Sequence, residues 1–81
     1  MTVTVRLFAR AKDIAGAEAL SLSLPEPATI ADVRRRLTAE HPRLEALLAR
    51  SAFAVGDEFA DDASLLPPRA EVALLPPVSG G

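Results

Sequence analysis

The side chains that usually carry chemistry are scarce in this sequence. It has no cysteine, tyrosine or tryptophan, and one histidine, His41. The lack of cysteine excludes disulfides, thiolate metal sites and a cysteine nucleophile. A single histidine excludes a two-histidine metal site and leaves little for a catalytic triad, so no metal is expected. His41 stands before Pro42, at a helix end where an imidazole complements the C-terminal dipole. The carboxylate pairs Asp57/Glu58 and Asp61/Asp62 lack calcium-loop spacing and read as surface turns. What remains is the main chain itself, in the segment Pro76-Pro77-Val78-Ser79-Gly80-Gly81. Glycine has no Cβ, so Gly80-Gly81 is the thinnest possible peptide and can enter a narrow channel. The expected reactive group is the α-carboxylate of Gly81. A carboxylate is a poor electrophile and first needs an activated leaving group, such as AMP from ATP. Pro76 and Pro77 favour an extended exit from the preceding strand. The competing reading of the two glycines is a loose end with no role.

Composition narrows the rest. The chain has 81 residues, 49% hydrophobic and 25% charged, enough for one small domain with a buried core. Nine basic against eleven acidic residues give a net charge of −2. That balance argues against nucleic acid or an anionic membrane as a partner, because both require clustered positive charge. Arg34-Arg35-Arg36 reads as a solvated helix face supported by Asp32–Arg36 and Arg36–Glu40 pairs. The sequence shows no membrane-spanning apolar run and no secretory signal, so a cytoplasmic location is expected.

The elements that must position the C-terminal segment follow from periodicity. Val3, Val5 and Leu7 alternate with Thr2, Thr4 and Arg6, which predicts a strand with one core face. Phe8 falls on the polar side of that strand. Residues 9–16 read as a turn or one short helix ended by Gly16 in the left-handed region. Residues 18–24 alternate again, with Leu20, Leu22 and Leu24 facing inward. Thr29 and Asp32 have capping-box spacing, and Ile30, Val33 and Leu37 form one helical stripe. His41-Pro42 ends that helix, and Leu44, Leu47 and Leu48 predict one or two further turns. Residues 52–60 read as a hairpin turning at Gly56, and residues 71–75 as the last strand. The expected order is β-β-α-β-β-β, an α+β fold whose mixed sheet carries one main helix across a face. That is the β-grasp, or ubiquitin-like, arrangement. Residues 1–77 form this domain, and residues 78–81 are expected to be a flexible reactive tail. Phe8 and Leu75 share the uncovered sheet face, which suggests a partner surface.

Val5-Arg6-Leu7-Phe8-Ala9, Ile14-Ala15-Gly16, Thr29-Ile30-Ala31-Asp32-Val33-Arg34, Phe53-Ala54-Val55-Gly56 and Glu71 through Gly81 together resemble the small-subunit family of molybdopterin synthase, the ubiquitin-like sulfur carriers. The resemblance runs end to end. It departs at Gly56, where the family commonly has asparagine, and at Pro67-Pro68-Arg69-Ala70, which replaces an Asp-Gly-Asp turn. It implies that an E1-like adenylating enzyme uses ATP to activate Gly81, and that a sulfur donor protein converts the acyl-adenylate to a thiocarboxylate. It implies further that residues 76–80 insert into the synthase large subunit, in a heterotetramer of two small and two large subunits. Sulfur would pass there to cyclic pyranopterin monophosphate to form molybdopterin, with no cofactor bound by the small subunit. The chain would then be the part of a sulfurtransferase that lends no catalytic side chain. The resemblance adds Phe59 to Phe8 and Leu75 as partner contacts. Two alternatives share the Gly-Gly end: a sulfur carrier for thiazole synthesis, and a ubiquitin-like modifier joined to lysines through Gly81.

Overall fold

In the computed structural model, residues 1–77 are described. Strand β1 (Thr2–Leu7) is followed by helix α1 (Ala9–Ala15) and strand β2 (Ala19–Ser23). Helix α2 (Ile30–Glu40) leads through a 3₁₀ turn (Pro42–Leu44) into helix α3 (Glu45–Leu48), and strands β3 (Ala52–Val55), β4 (Glu58–Ala60) and β5 (Glu71–Leu75) complete the sheet. The segment expected as a turn or short helix is thus a helix. It ends at Gly16, whose φ of 69° places it in the left-handed region, with the Gly16 N–H donating to Lys12 O.

The five strands lie in the order β2-β1-β5-β3-β4. β1 runs parallel to β5 and antiparallel to β2, while β3 is antiparallel to both β5 and β4. The last strand in sequence therefore lies at the centre of the sheet, hydrogen-bonded on both sides. This is the mixed, α+β sheet expected from the strand alternation.

Side-chain alternation sorts the two faces. Val3, Val5, Leu7, Leu22, Phe53, Val72 and Leu74 are buried together with Ile30, Val33 and Leu37 of α2 and with Leu44 and Leu48 beyond it. α2 begins where expected because its capping box is complete. Thr29 Oγ1 accepts from the Asp32 N–H at 3.3 Å, and Asp32 Oδ2 accepts from the Thr29 N–H at 2.8 Å. The Thr29 N–H bond is the main reason the Asp32 carboxyl is held below the usual carboxylate range; partial burial opposes it, and Arg35 assists it. The expected Asp32–Arg36 pair is not formed. Asp32 instead meets Arg35 one residue earlier, while the Arg36–Glu40 pair is present.

Arg34 departs further from the solvated-face expectation. Its guanidinium turns inward, 4.9 Å above the Phe53 ring, and bonds Leu48 O, Ser51 O and Asp62 Oδ1. It thereby ties α2 to the end of α3, to the residue before β3 and to the β4–β5 loop. The three arginines engage different partners: Arg34 those just described, Arg35 the Asp32 carboxylate, and Arg36 the Glu40 carboxylate and the Ser23 carbonyl.

Candidate functional site

The sheet face opposite the helices carries the candidate site, and the strand register places its residues. Arg6 aligns with Ala73, Ala73 with Ala54, and Ala54 with Phe59. Registered neighbours project to the same side of a sheet, so these four side chains form one row across the uncovered face. Leu75 aligns with Ala52 in the adjoining row. Phe8 extends β1 by one residue in β conformation (φ −132°, ψ 155°), which continues the alternation onto the same face.

Phe59 is 76% exposed and Phe8 45% exposed, while Leu75 is half-buried. Strand parity in the sequence does not place Phe59. The pairing of Ala54 with Phe59 does, and it brings Phe59 onto the face that already holds Phe8 and Leu75. Alanines at 52, 54 and 73 keep the ground between the aromatics low. The result is an apolar surface with projecting aromatic groups at its margins, the form in which interface anchors occur.

Polar groups border this surface on one side. Arg6 Nε donates to Glu71 Oε1 at 2.8 Å. A groove of about 380 Å³ runs past them, lined by Arg6, Gly56, Pro68, Arg69, Glu71 and Ala73 among others. Arg69 has a φ of 57°, a left-handed conformation that glycine adopts more readily. The loop that departs from the resembled family's Asp-Gly-Asp turn therefore keeps a backbone bend that suits glycine, with arginine performing it.

Pro76 and Pro77 leave the central strand half-buried. Val78, Ser79, Gly80 and Gly81 lie outside the described residues. Their attachment point is nonetheless clear: β5 is clamped between β1 and β3 and ends at Leu75, beside the apolar face. Leu65, at 67% exposure, is a further large exposed apolar group that strand alternation does not reveal, because it sits in a loop. Among the described residues, no three His, Asp or Glu side chains converge where they could hold a metal ion. No helix in this part of the chain is long and apolar enough to cross a membrane.

The chain is similar to known proteins over its whole length. Residues 5–81 match the model of the ThiS family. The molybdopterin synthase sulfur carrier subunit of Arabidopsis thaliana is 33% identical over 79 residues, covering 98% of this chain and 82% of that protein. The human protein of the same name is 30% identical over 82 residues, covering 98% and 93%. Among solved structures, SAMP1 from Haloferax volcanii superposes with a TM-score of 0.88 at 28% identity, covering all of both chains. A complex of subunits 1 and 2 of molybdopterin-converting factor from Helicobacter pylori contains a chain with a TM-score of 0.72 at 28% identity, again covering all of both chains.

Proposed function

Because this chain belongs to the ThiS family, we propose that it is the sulfur-carrier subunit of a molybdopterin synthase, with the carboxyl of Gly81 as its working group. The observation that carries this reading is the end-to-end match to sulfur carrier subunits of that name. In this reading an E1-like enzyme spends ATP to adenylate Gly81. A sulfur donor protein then replaces AMP with sulfur at the acyl carbon. The resulting thiocarboxylate enters the large subunit and passes its sulfur to cyclic pyranopterin monophosphate. The large subunit supplies every acid and base, and the pair assembles as a cytoplasmic heterotetramer.

The geometry supports this division of labour. β5, paired on both sides, is the strand from which residues 76–81 start, and the apolar face beside it would offer Phe8, Phe59 and Leu75 to the large subunit. Six residues beyond Leu75 can reach at most roughly 20 Å. A span of that length would let the reacting carbon lie inside a partner's site while the aromatics hold the two surfaces together.

The test is reconstitution. Chemically thiocarboxylated full-length chain, large subunit and pterin precursor should form molybdopterin, and a chain lacking Gly81 should form none while melting at the same temperature. Full activity without Gly81 would eliminate the proposal.

The likeness to SAMP1, a small archaeal modifier protein, favours a second reading in which Gly81 is joined to amines. Lys12 is the only lysine in this sequence, so a self-conjugate formed on a lysine would have to use it. Incubation with the activating enzyme, ATP and cell protein separates the two readings. Thiocarboxylate on Gly81 with no isopeptide supports the carrier. Gly81 isopeptides on other proteins support the modifier.

A further inference from the structure

β2 forms one edge of the sheet, and its register partners all belong to β1. The exchange between Met1 and Leu24 sets the phase of that ladder. The Leu24 N–H donates to Met1 O at 2.9 Å, and the Met1 ammonium donates to Leu24 O at 2.7 Å. Leu24, Leu22 and Leu20 therefore bond inward to β1, and the backbone groups of Ala19, Ser21 and Ser23 point away from the sheet. Of these, among the described residues, the Ser23 carbonyl alone meets another group, accepting from Arg36 Nη1 at 2.8 Å. Exposed edges are normally blunted by lysine, proline or a bulge. The stretch Ala19-Leu20-Ser21-Leu22-Ser23 has no charge and no proline. The opposite edge, β4, has three residues flanked by Asp57, Asp61 and Asp62, and that charge would repel a second copy.

We propose that two copies of this chain pair antiparallel through their β2 edges, about a two-fold axis at Ser21, to make one continuous sheet. In that register Ser21 faces Ser21 of the second copy, and Ala19 faces Ser23. The Ser21 pair exchanges both of its outward hydrogen bonds, and in each Ala19–Ser23 pair the Ser23 N–H donates to the Ala19 carbonyl while the Ser23 carbonyl stays engaged by Arg36 of its own chain. Half-buried Leu20 falls opposite Leu22, which is buried in its own chain. Glu18 of one copy lies beside Ser23 and Arg36 of the other, so opposite charges meet at both ends of the junction. The two Arg36 side chains stand about four strand residues apart, roughly 14 Å, beyond effective repulsion at physiological salt. This self-complementarity favours a second copy as the occupant. Phe59 lies four strands away, roughly 19 Å, so pairing at β2 leaves the apolar face free.

Sedimentation velocity of the full chain tests this. The mass should rise from 8.5 kDa toward twice that value between roughly 10 μM and 1 mM. Ser21→Pro removes an outward N–H and spares the β1 ladder. It should weaken association at least about tenfold with an unchanged circular dichroism spectrum. Arg36→Glu should weaken it as well, and adding Glu18→Arg should restore it. A monomer throughout that range, or undiminished association of Ser21→Pro, overturns the proposal. Failure of the charge swap to restore association overturns this register, and the swap decides alone if Ser21→Pro does not fold.

Discussion

Phe53 and Phe59 lie in the same hairpin, six residues apart in sequence, and project to opposite faces of the sheet. Replacing each with alanine separates folding from partner binding. Phe53 is fully buried beneath Arg34. Its truncation should cost about 3–5 kcal/mol of stability, the usual range for an aromatic removed from a packed core. Phe59 is 76% exposed and packs little in the free chain. Phe59→Ala should change stability by less than about 0.5 kcal/mol. Binding should respond in the opposite way. A phenylalanine can bury roughly 200 Å², and three quarters of that is still accessible here. At about 25 cal/mol/Å² the ceiling is near 4 kcal/mol. Association and side-chain ordering reduce the net effect to about 2 kcal/mol, or roughly 30-fold in Kd. Urea melts of the free chain and titration calorimetry with the large subunit measure the two quantities. If Phe59→Ala melts with a loss above about 1 kcal/mol, or binds with unchanged affinity, the assignment of this face to the partner is wrong.

Further outcomes follow from the helix and its loops. Arg34→Ala should destabilise the chain by about 2–3 kcal/mol in denaturant melts, because it removes the bonds to the Leu48 and Ser51 carbonyls and to Asp62 together with the packing over Phe53; Arg34→Lys should recover only part of that, since lysine lacks the planar fork. The folded-state pKa of Asp32 lies below its unfolded value, so its contribution is fully present above the unfolded value and is lost as pH falls through the folded one. Melts across the acid range should show Asp32→Asn with a shallower loss of stability than the parent, and Thr29→Ala should cost about 1 kcal/mol at neutral pH. Arg69→Gly should raise stability by up to about 1 kcal/mol in the same assay, because relief of the left-handed strain outweighs the extra freedom glycine gives the unfolded chain.

The parts of the fold legible in the sequence are those whose signal repeats. Val3, Val5 and Leu7 alternate without interruption, and Ile30, Val33 and Leu37 keep helical spacing, so both core-facing rows can be assigned before any pairing is known. Gly16 and the Thr29/Asp32 box mark helix ends by local chemistry alone. Phe59 is different. In a three-residue strand beside a turn, periodicity is too short to choose a face, and the choice comes from pairing with Ala54. Arg34 is illegible for another reason. It sits on the solvent side of a sequence triplet, and its burial depends on carbonyls contributed by residues 48 and 51 in a later segment. Leu65 and Arg69 lie where no periodicity exists, so neither the exposure of one nor the backbone of the other leaves a trace in the sequence pattern.

The proposed role, with the reacting atom on the main chain at Gly81, puts unusual demands on the fold. No side chain must be aimed, so the fold's task reduces to holding one strand end still and presenting a surface that docks. The topology meets the first demand by placing the last strand between β1 and β3, where pairing on both sides opposes fraying. It would meet the second by burying one face of that strand under α2 and leaving the other, around Ala73 and Leu75, uncovered by helices. The two demands share β5, and this has a consequence for variation. A substitution at Val72 or Leu74 should disturb both stability and delivery, whereas one at Phe8 or Phe59 can alter partner affinity without moving the base of residues 76–81. Under this proposal, specificity for a large subunit can change at the margins of the face while the strand that would deliver Gly81 stays fixed.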